Sequence, residues 1–183
     1  MCMFRDLRAD EIECRVAQAK SNGVSILLYK DARCDQNILD ETVGAMNWMR
    51  SHTRDNANCI VSLWDEKKQQ WISKEDTGTE SNTEKEKGLA SDSFKRACFN
   101  WGIGRELYTA PFVWIKAEDC EALKENGQRW QCFDSFAVQK IIIEKKRIVA
   151  LAIKNAKTGK TCFVWQDAKW QAEREKKQEN ANV

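Results

Sequence analysis

The chain has 183 residues, 42% of them hydrophobic, enough to bury one sizeable core with appendages. Its formal charge of +2, with 32% charged residues, does not by itself announce a nucleic-acid binder; the distribution says more, because seven Lys or Arg stand against one Glu between Lys140 and Lys160. Eight cysteines without a CxxC pair, and one histidine, give no standard zinc pattern and read as free thiols in a reducing compartment; the opening MCMFRDLRADE is not a signal peptide, and no apolar run is long enough to span a membrane.

Ile12, Val16 and Ala19 recur at helical spacing and predict a first helix with Asp10 as its N-cap. Asn22-Gly23 marks a turn, Val24–Tyr29 reads as a buried strand, and Asp35–Val43 as a short helix ending near Gly44. Three strands are expected next, over Asn47–Thr53, Asn58–Asp65 and Gln70–Thr77, the last two joined by the charged turn Asp65-Glu66-Lys67-Lys68. Glu84–Trp101 predicts a helix. Ala90, Phe94, Ala97 and Trp101 form its apolar face, Lys87, Lys95 and Arg96 lie off that face, and Gly102 and Gly104 stop it. This half reads as an antiparallel meander with a helix packed across it. Beyond Arg105 an extended run leads to Lys116, and a short helix is expected over Ala117–Asn126. Strands follow over Phe136–Glu144, Arg147–Asn155 and Lys160–Trp165, then a polar tail from about Ala172.

No catalytic constellation stands out. Thr158-Gly159-Lys160-Thr161 resembles the end of a phosphate-binding loop, but position 154, where that loop requires glycine, is Lys. Asp65, Glu66, Glu75 and Asp76 suggest a metal-dependent nuclease site, against the plainer reading of solvated hairpin charges. Eight tryptophans offer stacking surfaces for bases, although most are more simply core: Trp101 lies on the helix's apolar face, and Trp48, Trp64 and Trp71 fall in strands. Lys95-Arg96 is a pair of adjacent cations on a helix otherwise built for packing, suited to phosphates without reading sequence.

The stretch Asp76–Tyr108 carries Asp76-Thr77-Gly78, a polar loop, Ser91-Asp92-Ser93-Phe94-Lys95-Arg96-Ala97 and then Gly102. It resembles the Rad-fifty-two family of single-strand annealing proteins, especially the phage and prophage type. LRADEIECRV (Leu7–Val16) is similar to that family's opening helix and VGAMNW (Val43–Trp48) to its entry into the first long strand, so the likeness covers roughly residues 7–115.

The resemblance implies an α+β fold, a β-β-β-α annealing core over residues 1–115. To this are added a helix with β-strands over 116–166 and a charged, helical tail over 167–183. It implies a homo-oligomer, ring or helical filament, that holds single-stranded DNA in a basic groove and uses no ATP or other cofactor. Lys95 and Arg96 match the family's backbone-gripping positions, Arg33 lies near a further basic position, and Lys67 and Lys68 suit an outer DNA site. Eukaryotic members carry another cation where Phe99 stands, and Arg105 is the candidate to compensate. A phage exonuclease and a host single-strand-binding protein are the implied partners, and the cytoplasm of a bacterial host the implied compartment. The alternatives are an oligomeric protein-interaction module without DNA affinity and a metal-dependent nuclease.

Overall fold

The structure, a computed structural model, describes residues 4–79 and 85–181. In chain order its main elements are β1 (Glu13–Lys20), β2 (Gly23–Tyr29), α1 (Ala32–Val43), β3 (Trp48–Thr53), β4 (Asn58–Asp65), β5 (Gln70–Thr77), α2 (Lys85–Trp101), β6 (Val113–Lys116), β7 (Leu123–Asn126), β8 (Arg129–Cys132), β9 (Phe136–Glu144), β10 (Arg147–Asn155), β11 (Thr161–Gln166) and α3 (Ala168–Ala181). The fold is α+β with antiparallel sheets. Glu84, expected as the first helical residue, lies outside the described residues, as do residues 80–83 of the polar loop and the side chain of Lys87.

The chain divides into two compact units, residues 1–6 with 30–105 and residues 7–29 with 106–183. The first holds the meander β3-β4-β5, with α2 across one face and α1 packed beside α2. Strand alternation sends Cys59, Val61 and Leu63 of β4 toward α2, whose Phe94, Ala97 and Cys98 are fully buried. Trp101 stays on this face and its indole N–H donates to the Val61 carbonyl at 3.0 Å. Gly102, at φ +99, lets the chain leave the helix, and its N–H donates back to the Phe99 carbonyl at 2.9 Å.

The second unit is a six-stranded sheet ordered β11-β10-β9-β1-β2-β6, with β7-β8 as a separate two-stranded ribbon. The chain leaves this sheet after β2 and re-enters it at β6, the strand paired with β2 from Gly23↔Lys116 to Ile26↔Val113. Trp170 of α3 packs on Val149 and Ala150 of β10. Among the described residues no helix is long and apolar enough to cross a membrane.

Two expected helices are absent. Residues Glu13–Lys20 form a strand, preceded by a 3-10 turn over Ala9–Glu11, and Ala117–Asn126 divides into a 3-10 turn and β7. The first error has a physical source. A bulge between Val16 and Gln18 shifts the register of β1 against β2, so Ala19 returns to the Val16 side after three residues rather than two. With Ile12 ahead of the strand, that step imitates a helical repeat.

Candidate nucleic-acid interface

All six cations singled out from the sequence belong to the meander unit. The strand end and the helix that carry the family-like motif are locked together. Gly78 passes so close to α2 that a Cβ there would stand 2.5 Å from the Ser93 backbone nitrogen. One residue on, the Thr79 N–H donates to the Asp92 carboxylate at 2.9 Å. One turn along α2, Arg96 Nε donates to Asp76 Oδ1 at 3.3 Å, and the Asn100 amide donates to Asp76 Oδ2 at 3.2 Å. Asp76, Gly78, Asp92 and Arg96 therefore form one clasp between β5 and α2.

Arg96 remains 44% exposed at this edge. Lys95, one position earlier, turns the other way: its charge is felt by Asp35 of α1. The two neighbours thus leave α2 on different sides, as a step of about 100° per residue requires.

Farther along α2 a second cluster surrounds the Asn100 carbonyl, which accepts from Lys74 Nζ at 2.8 Å and from Arg105 at 2.9 Å. Arg105 also donates to the Phe99 carbonyl at 2.8 Å and lies over the Phe99 ring, 5.5 Å from its centroid. Lys74 sits over Trp101 at 4.4 Å. Lys74, Arg96 and Arg105 consequently line the seam between α2 and the edge strand β5. Lys67 and Lys68 stand at the turn that ends the β4–β5 hairpin, where their backbone N–H groups donate to Asp65 at 3.0 and 3.1 Å. Arg33 is 85% exposed at the start of α1 and paired with Asp31 at 2.8 Å. It is not drawn into either cluster.

Lys74 was missed in the sequence. Its strand carries Lys, Glu and Asp in succession, and only the strand register shows that Lys74 and Asp76 share the α2 side while Glu75 faces the other way. The same alternation separates the four carboxylates considered for a nuclease site. Glu75 accepts from Asn58 at 2.7 Å on the outer face, Asp76 is held by Arg96, and Asp65 and Glu66 lie at the far end of the hairpin.

The tryptophans divide by face. Trp48 stacks on Phe94 at 6.1 Å within the α2 side. Trp64 and Trp71, paired across β4 and β5, meet edge-to-face at 5.5 Å on the opposite side, where Trp71 is 40% and Met49 46% exposed. His52 sits half-buried in β3, 3.4 Å from Ser93 Oγ, and burial with the nearby Arg50 charge holds its pKa below the usual range.

The meander unit carries thirteen basic and fourteen acidic side chains, the other unit seventeen and fourteen. Any affinity of the first for polyanions must therefore come from local arrangement. In the second unit, the two-residue turn Lys145-Lys146 joins β9 to β10 with both residues at positive φ, 51° and 63°. Lys160, in the loop that resembles a phosphate-binding turn, is paired with Asp119 at 2.8 Å. Among the described residues one group brings three metal-type ligands together, Cys120, Cys132 and Asp134, and it lies in this second unit. Compared with protein-family models, with curated proteins and with solved structures, the chain matches none.

Proposed function

We propose that this protein binds single-stranded DNA and anneals complementary strands without ATP, acting as a homo-oligomer in recombination or repair. The observation that carries the reading is the clasp: the residues that resemble the Rad-fifty-two family motif are those that join β5 to α2, and they leave a cationic seam beside them. Along that seam Arg96 and Lys74 would meet phosphates, with Arg105 beside them bound to the last carbonyls of α2, Lys67 and Lys68 at the hairpin end and Lys95 and Arg33 on the α1 side. Cations so arranged bind the backbone without reading sequence, and base pairing supplies specificity. Trp71, exposed and meeting the partly buried Trp64 edge-to-face, adds a stacking surface on the opposite face. β3 and β5 are the edges of a three-stranded sheet, and such edges suit assembly with further copies into a ring or filament. A phage exonuclease, a host single-strand-binding protein and a bacterial cytoplasm belong to the same proposal.

The test is the affinity for a labelled single-stranded oligonucleotide across a salt series, with an annealing assay beside it. The double change Lys95→Ala and Arg96→Ala should weaken binding equally for all sequences and lower the salt slope by about 0.7 for each phosphate left without its cation. Circular dichroism controls for folding. A wild-type chain that stays unbound even at low salt sinks the reading in favour of a protein-interaction module, and magnesium-dependent shortening of the oligonucleotide would favour a nuclease. A second reading rests on the lysine-rich β9–β10 hairpin, where Lys140, Lys145 and Lys154 are candidates for the primary DNA contact.

A further inference from the structure

Cys120, Cys132 and Cys162 come from separate parts of the sequence, with 11 and then 29 residues between them. The fold gathers them. Cys120 follows the 3-10 turn Ala117–Asp119 just ahead of β7, Cys132 ends β8, and Cys162 lies in β11. Cys120 Sγ, Cys132 Sγ and a carboxylate oxygen of Asp134 all lie within 4.8 Å of one another, and the Cys132 thiol donates to Asp134 Oδ2 at 3.3 Å. The Cys162 thiol faces two carbonyls, that of Lys160 at 3.2 Å and that of Asp119, the residue before Cys120, at 3.7 Å.

We propose that Cys120, Cys132 and Asp134, with Cys162 as the fourth ligand, form a tetrahedral site for a divalent cation of borderline softness, zinc above all. Three thiolates and one carboxylate are a donor set that zinc accepts. Zinc–sulfur bonds of about 2.3 Å put tetrahedral donors about 3.7 Å apart, so Cys120, Cys132 and Asp134 need to close by at most about 1 Å, and Cys162 would swing in to complete the set.

The surroundings fit a ligand set. Asp134 is fixed by the Ala122 N–H at 2.9 Å and by the Asn155 amide at 3.0 Å. Asn155 is itself buried, and its own carbonyl oxygen accepts from the Lys157 and Thr158 N–H groups at 2.9 and 3.2 Å. Groups that orient a ligating carboxylate in this way tune metal sites. Thiol protons leave when a metal binds, so affinity for the cation rises with pH. The site also has a structural task. β7 and β8 form a ribbon of four residues a side, and an isolated two-stranded ribbon is marginal in water. Cys120 and Cys132 stand at its two legs, and Cys162 would tie them to β11.

The full chain should be purified under reducing conditions and its metal measured by native mass spectrometry and elemental analysis. One zinc per chain is expected. Cobalt added to the stripped protein should give the strong visible bands of tetrahedral Co²⁺ and the near-ultraviolet thiolate-to-cobalt band. Cys120→Ser and Cys132→Ser should lose the metal, Cys162→Ser should weaken the thiolate band, and Asn155→Ala should lower affinity about 10- to 100-fold. If the ligand variants fail to fold, the wild-type cobalt spectrum decides alone. Background zinc with only the weak spectrum of octahedral cobalt would overturn the proposal. So would a Cys120–Cys132 disulfide in the freshly isolated chain whose reduction gives no cobalt uptake.

Discussion

The two units handle their charges differently. In the meander unit Arg96 is held by Asp76, Arg33 by Asp31, and Arg105 by the last carbonyls of α2, while Arg50 and Lys74 lie over Phe94 and Trp101. In the six-stranded unit cations outnumber anions, and Lys140, Lys145 and Lys154 have no carboxylate within ion-pair reach among the described residues. The cations nearest the family-like motif are thus already engaged by the fold, whereas these three lysines of the other unit are not. The lesson is that cation count and cation placement point to different surfaces for the DNA of the proposed function, and that an arginine which pins a fold can still present its outer N–H groups to a phosphate.

The largest expected effect lies where the meander unit buries a charge. Asp35 is wholly inaccessible and pairs with the nearly buried Lys30. Burial outweighs the lysine's attraction and pushes Asp35 up to about 6. A folded-state pKa above the unfolded value of about 3.9 means that the native chain binds the extra proton between those values. The proton-linked part of Asp35's contribution is therefore fully present below about pH 4 and lost as pH rises past 6, while the pairing with Lys30 remains. At neutral pH, Asp35→Ala leaves Lys30 buried without its partner and should cost about 3–5 kcal/mol. Urea unfolding of wild type and of Asp35→Asn at pH 4, 6 and 7.5 checks the sign, because the amide should flatten the profile.

Next in size is the clasp. Gly78→Ala puts a methyl 2.5 Å from the Ser93 nitrogen, against backbone that cannot swing aside as a side chain would. A cost of about 1–3 kcal/mol is expected. Denaturant midpoints would measure it, and a neutral Gly78→Ala would mean that the clasp is not tight.

Much of this unit was legible in the sequence. Phe94, Ala97 and Trp101 announce the packed face of α2 by their spacing, and the three strands of the meander agree with the expected runs to within a residue or so. The β1 bulge was not legible, since its irregular step is indistinguishable from a helix turn without the partner strand. Nor was the role of Lys74, which depends on the cross-strand register. The thiol cluster was hidden for the opposite reason: its ligands are far apart in sequence and are joined only by the tertiary fold.

On the proposed function, a salt titration of oligonucleotide binding sets the two units directly against each other. Lys74→Ala with Arg96→Ala should lower the slope by about 1.4, which is roughly a sevenfold smaller change in affinity over a fourfold change in salt. Lys145→Ala with Lys146→Ala should leave the slope unchanged if the seam is the groove. The reverse pattern in the same titration would move the DNA to the β9–β10 hairpin.

The smallest effect concerns Arg105, and it separates two roles for one side chain. The last turn of any α-helix leaves carbonyls without intrahelical partners, at the negative end of its dipole. Arg105 donates to two of them, at Phe99 and Asn100, while its guanidinium lies against the Phe99 ring. A cation at such an exposed helix end is worth about 0.3–1 kcal/mol. Arg105→Ala should therefore lower stability by that amount and leave the salt slope where it was, because the fork is occupied by the helix. Arg105→Lys should recover only part of the loss, since an ammonium keeps the charge but lacks the planar fork that reaches two carbonyls at once. If Arg105 instead replaces the cation that Phe99 displaces, the slope should fall by about 0.7 with stability nearly intact. Denaturation and oligonucleotide titration on the same two variants decide between these outcomes.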